Sequence, residues 1–271
     1  MLLIVAITFL SFIEGFMTQH HNVEKKAFLE VVFVVDGSGS IGKEKFAIMK
    51  EWLVNQTVKI YEAFGDSAHV GVLQFSDKDN PWDGVSIKDS KKFVIPFVLG
   101  ECVNNASCFT PRIMNMPYLN SATYTYYALR RVMEVEFPKS RSFTISKKTV
   151  IVVTDGEAND HAFLRGWHDK YKDAVTAIAI GVGNYEKFLS QLQIIANGGT
   201  GNDRVFTLSG FNELQKHSSD LITTLIKSTD LIWSSWSSCS TSCSPGIQMR
   251  TITFRNATGT LNGSVIVNQV N

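Results

Sequence analysis

The sequence predicts an α/β protein, a doubly wound and mostly parallel sheet, with a small β-rich module at the C-terminus. Three observations carry this reading. From residue 29 to residue 228, apolar runs of strand length alternate with segments whose apolar residues recur at helical spacing. Val31–Val35 and Val150–Thr154 are almost wholly apolar, as strands covered on both faces must be. At Trp233 the composition shifts abruptly to serine with paired tryptophans. The length, 271 residues with 44% hydrophobic, suits one domain of about 200 residues plus a smaller unit.

The elements follow in order. After the first strand, Lys43 to Phe64 places Phe46, Met49, Leu53, Ile60 and Phe64 on a helix face, and Gly65 ends it. Val70–Phe75 is a strand, residues 77–92 form a polar loop with a turn at Asn80-Pro81, and Phe93–Leu99 is a short strand. Residues 100–120 read as a long irregular insertion. A helix starting at Tyr124 presents Tyr126, Leu129, Val132, Met133 and Phe137. The Val150–Thr154 strand follows, then a weak helix over Ala162–Tyr171, a strand over Ala174–Ile180, a helix over Tyr185–Ala196 stopped by Gly198-Gly199, and a strand over Arg204–Leu208. Phe211, Leu214, Leu221, Ile222, Leu225 and Ile226 mark one face of a closing helix.

The most informative stretch is Asp36-Gly37-Ser38-Gly39-Ser40, directly after the first strand. A tight glycine turn can aim one carboxylate and two hydroxyls at a single point, and all-oxygen ligation suits a hard divalent cation. Taken alone, the motif reads more readily as an ordinary serine/glycine turn capping a helix. Its partners lie elsewhere. The Val150–Thr154 strand ends in Asp155-Gly156-Glu157, and Thr123 lies on a loop able to fold over the same edge. Ligand sites in open parallel sheets form outside the carboxyl ends of the strands.

Asp36-x-Ser38-x-Ser40, Thr123 and the Asp155 of Thr-Asp-Gly-Glu together resemble the metal-ion-dependent adhesion site of von Willebrand factor A domains. The resemblance spans residues 29–228. It implies a metal held by Asp36, Ser38, Ser40, Thr123 and Asp155, with Asp36 and Asp155 acting through water. It also implies binding, without chemistry, of an aspartate or glutamate carboxylate from another protein. Two carboxylates formally neutralise a divalent cation while the hydroxyls add no charge, so the metal keeps its Lewis acidity. Mg²⁺ is the expected ion, with Mn²⁺ and Ca²⁺ as alternatives. In adhesive relatives the last helix slides as the site switches affinity. Here a static packing helix is the simpler expectation.

A second resemblance begins at the composition shift. Trp233-x-x-Trp236-x-x-Cys239-x-x-Ser242-Cys243-x-x-Gly246 resembles the start of a thrombospondin type 1 repeat, assigned to residues 232–271. Tryptophan–arginine layering, here with Arg250 or Arg255, can hold such a module together where a core is too small. The resemblance implies C-mannosylation of Trp233 and Trp236 and O-fucosylation of Ser242. Such repeats normally use six cysteines and only Cys239 and Cys243 are present. Either the chain stops inside the module or the repeat is degenerate.

Residues 1–15 suit a secretory signal, with an apolar core from Leu2 but no preceding Lys or Arg; an N-terminal buried strand is the alternative. An oxidising compartment fits Cys102 and Cys108, whose spacing permits a small local disulfide; two free thiols are the other reading. Asn55, Asn105, Asn256 and Asn262 are glycosylation acceptors. The net charge of +1 makes no electrostatic case for nucleic acid. An enzyme is disfavoured. Asp160-His161 and His168-Asp169 have no nucleophile motif beside them, and the glycine loop at Asp36 lacks a Gly-Lys-Ser/Thr ending. The expected protein is a secreted adhesive or matrix component. Its expected partners are matrix or cell-surface proteins presenting an acidic residue, with glycan or glycosaminoglycan contacts through the second module. Membrane attachment would need chain beyond residue 271. An apicomplexan-type surface adhesin and a structural component with a non-adhesive metal site are the alternatives.

Overall fold

A computed structural model describes residues 29–76, 87, 93–140, 146–228, 231–233, 247–255 and 261–270. The expected leader, Asn256, Trp236, Ser242, Cys239, Cys243 and nearly all of the 77–92 loop lie outside these residues.

A six-stranded sheet runs in the order β3-β2-β1-β4-β5-β6. Its strands are β1 (Leu29–Asp36), β2 (Ala68–Phe75), β3 (Phe93–Phe97), β4 (Lys147–Thr154), β5 (Thr176–Val182) and β6 (Val205–Leu208). All neighbours are parallel except β3, which pairs antiparallel with β2 at the edge. The chain steps outward from β1 to β2 and β3, then returns to lay β4 on the other side of β1. The strand order therefore reverses between β1 and β4, the place where open α/β sheets hold ligands.

Every residue of β1 is buried, and the period of two divides them between two cores. Leu29, Val31, Phe33 and Val35 join the layer under α1 (Lys43–Phe64), α2 (Ala106–Met114) and the closing helix, numbered α6 (Ser218–Ser228). Val32 and Val34 join the opposite layer, with α3 (Thr125–Arg131), α4 (Leu164–Tyr171) and α5 (Leu189–Asn197). A strand that must satisfy both layers has no solvent face, which explains its unbroken apolar run.

The helix read over Lys43–Phe64 forms with those bounds, burying the five predicted residues together with Trp52, Gln56, Thr57 and Tyr61. Gly198 ends α5 in the left-handed conformation (φ 67°), and Gly199 N–H donates to Gln193 O at 3.0 Å, closing a Schellman turn.

Two readings need correction. The supposedly irregular 100–120 stretch contains α2. Asn105 caps it by accepting from Cys108 N at 3.1 Å, and the Cys102–Cys108 disulfide (Cα–Cα 5.5 Å) pins its first turn. Pro111 within the helix and the polar run before it hid the periodicity. The helix read from residue 124 forms with helical backbone throughout, but it does not keep one register. After α3 it widens into a π segment, Val132–Glu136, and closes with Phe137–Lys139. The π register brings residues five apart to one side. Arg131 and Glu136 use it for a buried ion pair of 2.8 Å, and Arg131 also donates to Ile87 O at 2.6 Å.

A separate three-stranded antiparallel sheet joins β7 (Leu231–Trp233), β8 (Ile247–Arg255) and β9 (Leu261–Val270). Trp233 closes β7, and Asn262 lies on β9. No helix among the described residues is long and apolar enough to cross a membrane.

Candidate metal centre

Three loops converge at the carboxyl edge of β1 and β4. The first leaves β1 at Asp36. Asp36 Oδ1 accepts from Ser38 N at 2.7 Å, which curls the chain back at once. Gly37 passes so close to Gln74 that a β-carbon there would overlap its amide. Gln74 is held in turn by donating to Pro117 O at 2.8 Å. The second loop leaves β4 at Thr154, whose hydroxyl donates to Asp36 Oδ2 at 2.7 Å. The third carries Thr123. Asn159 grips it from both sides, accepting from Thr123 N at 2.8 Å and donating its own N–H to Thr123 O at 2.7 Å.

The five residues singled out in the sequence share this edge. Ser40 Oγ donates to Asp155 Oδ1 at 2.6 Å, and the Ser38 and Ser40 hydroxyls are 3.0 Å apart. A β-carbon at Gly156 would stand 3.5 Å from Ser40 Oγ and 3.9 Å from Thr123 Oγ1, so both hydroxyls lie against this glycine. Asp36, Ser38 and Thr123 are buried, whereas Ser40 is exposed, so the cluster is closed at its base and open on one side.

Burial pushes the Asp36 carboxyl up to about 6, against the pull of its bonds to Thr154 and Ser38. Burial also raises Asp155, opposed by its bond from Ser40 and by the charge of Lys45. Among the described residues neither acid has a Lys, Arg or His ion-pair partner. Two acids in a desolvated corner, with Lys45 acting on Asp155 only from beyond ion-pair distance, are electrostatically incomplete. The donors are hydroxyls and carboxylates alone, and no described cluster of three or more His, Cys, Asp or Glu exists. Such a set fits a hard divalent cation.

The rival acid–base pairs have structural work. Asp160 accepts from Tyr126 N and Tyr127 N at 3.1 and 2.9 Å, capping α3 from 34 residues downstream. His161 Nδ1 lies 3.0 Å from Ala158 O, and His168 lies 3.5 Å from Asp169. Thr154, Asn159, Gln74 and Tyr118 belong to the site's frame and were not singled out in the sequence. Thr154 had a signal, standing next to Asp155; the others act across loops and leave none. Of the modification acceptors, Asn55 is exposed on α1 and Asn105 is exposed at the α2 cap.

A doubly wound α/β domain with an all-oxygen cluster at its switch point is thus the class of protein defined here. The chain belongs to the von Willebrand factor type A domain family, which it matches over residues 30–220; residues 232–268 match the thrombospondin type 1 domain. Similar proteins include the human collagen alpha-1(XXI) chain, 32% identical over 62% of this chain, and chicken (Gallus gallus) matrilin-1, 29% identical over 58%. Those alignments span only 16% of the collagen and 28% of the matrilin. Among solved structures, proximal thread matrix protein 1 from the mussel byssus shares the fold. Its TM-score is 0.60 at 24% identity, covering 77% of this chain and 50% of that one. A second structure of the mussel protein (TM-score 0.57, 24% identity, 74% and 46% covered) is described with zinc occupying its MIDAS motif.

Proposed function

We propose that this chain is an extracellular matrix or adhesion protein whose A domain binds acidic protein ligands through a divalent cation, Mg²⁺ in preference to Mn²⁺ or Ca²⁺. The observation that carries the reading is the pair Asp36 and Asp155, which has no ion-pair contact among the described residues and is set among three hydroxyls, open on one side. Asp36, Ser38, Ser40, Thr123 and Asp155 would hold the ion. Bound there, a divalent cation supplies Lewis acidity toward a carboxylate oxygen of the partner. The chain's own residues do the rest. Thr154 and Ser38 orient Asp36, Ser40 orients Asp155, Asn159 fixes Thr123, and the exposed Ser40 side leaves room for the incoming group. Zinc in the MIDAS motif of the mussel protein supports a divalent ion at this place in the fold. Relatives named as collagen and matrilin support the matrix setting.

Residues 29–228 are proposed as the A domain and 232–271 as a thrombospondin-type module adding glycosaminoglycan or matrix contacts. Secretion through residues 1–15, N-glycans at Asn55, Asn105, Asn256 and Asn262, C-mannose on Trp233 and Trp236 and O-fucose on Ser242 complete the proposal. No enzymatic activity is assigned.

The test is solid-phase binding of the full chain to immobilised matrix proteins, native and with their carboxyl groups amidated, in Mg²⁺ and in EDTA. Binding confined to native matrix with Mg²⁺ is the expected result. Binding that survives amidation or EDTA contradicts the metal-bridged carboxylate. Stabilisation by Mg²⁺ without any metal-dependent binding would favour the second reading, a metal that only staples the three loops.

A further inference from the structure

We propose that Tyr118 is a positioning residue for the cation site. Its hydroxyl locks the loop carrying Ser38 and Ser40 against the loop carrying Thr123. The inference rests on the cation reading given above.

Tyr118 lies between α2 and α3, partly buried, with its ring packed on Phe46 of α1 at 5.7 Å between centroids. Its hydroxyl accepts from Gly42 N at 3.2 Å. The same oxygen lies 3.2 Å from Ser38 O, 3.1 Å from Gly39 O and 3.3 Å from Asn120 Oδ1. One proton serves these three acceptors, so the hydroxyl donates into a shared cradle. Three of its four partners belong to the first site loop and the fourth to the Thr123 loop. Two backbone bonds also join these loops, Asn120 N to Gly37 O and Gly39 N to Ser121 O, both 2.9 Å. Both attach ahead of Ser40. The tyrosine reaches past Ser40 to Gly42, so it fixes the far side of the serine turn relative to Thr123. Groups behind the ligands that set their spacing commonly control metal affinity by tenfold or more.

The experiment is calorimetric titration of Mg²⁺ into the full chain as wild type, Tyr118→Phe and Phe46→Leu, with the melting temperature of each in EDTA. Tyr118→Phe removes the hydroxyl and keeps the ring on Phe46. It is expected to weaken Mg²⁺ binding about tenfold while its melting temperature in EDTA stays within about 3 °C of wild type. Phe46→Leu loosens the packing and keeps the hydroxyl. It is expected to lower the melting temperature in EDTA and to hold the affinity within about threefold. Unchanged Mg²⁺ affinity in Tyr118→Phe overturns the proposal, as does an affinity loss that follows the loss of melting temperature in both variants. Absence of Mg²⁺ binding by the wild type overturns the cation reading itself, and the role of Tyr118 with it.

Discussion

Asp36 is the residue on which the proposed cation site most depends. It is fully buried, satisfied by Ser38 N and the Thr154 hydroxyl, and still titrates near 6 instead of 3.8. Its folded-state pKa is raised, so in the metal-free chain the proton favours the folded state. The stability this group contributes is complete below about pH 3.8 and is lost as pH rises through about 6. A divalent cation competes with that proton, so its affinity should run the other way and rise with pH through the same range. The rise in melting temperature produced by Mg²⁺ is therefore expected to be large at pH 7.5 and small at pH 5. A response independent of pH would remove Asp36 from the site. Asp36→Asn keeps an acceptor for Ser38 N and abolishes the buried charge. In EDTA at pH 7.5 it should match or exceed the wild type, by about 1 kcal/mol, with no response to Mg²⁺. Marked destabilisation in EDTA would mean that the carboxylate is structural.

Among the elements, those with one clear periodicity were legible and those shaped by distant contacts were not. The α1 bounds, the β1 and β4 strands and the stop at Gly198 follow from residues within each element. The α2 helix escaped because its stabilisers are a disulfide, a cap and packing of Phe109 and Ile113, set against an internal proline. The π segment escaped because its buried Arg131–Glu136 pair becomes adjacent only once the extra residue is accommodated. The same division holds in the site. Asp36, Ser38, Ser40 and Asp155 stand in local motifs at strand ends, whereas the clasp of Asn159 on Thr123 and the Asp160 cap on α3 depend on tertiary approach. The α2 account predicts that replacing both Cys102 and Cys108 by Ala costs about 2 kcal/mol in urea unfolding of the full chain, the loop-closure value for so short a loop. No measurable cost would show that the cap and packing hold α2 unaided.

For the whole molecule, the sheet order decides where function can sit. The strand order reverses between β1 and β4, where open α/β sheets hold ligands, and the parallel strands deliver acids and hydroxyls to that one edge. The two cores hold that edge rigid from both faces. A packed frame around a partly open cluster of acids and hydroxyls is suited to binding: the frame costs little to organise, and the proposed ion would complete it. The central claim is that a divalent cation belongs at this edge. The most direct measurement is calorimetric titration of Mg²⁺ into the full chain at pH 7.5, beside Asp36→Ala, with circular dichroism recorded on both. The account predicts one Mg²⁺ bound per wild-type chain and none by Asp36→Ala, with native spectra for both. Equal Mg²⁺ binding by the two chains, or none by either with native spectra, would contradict it.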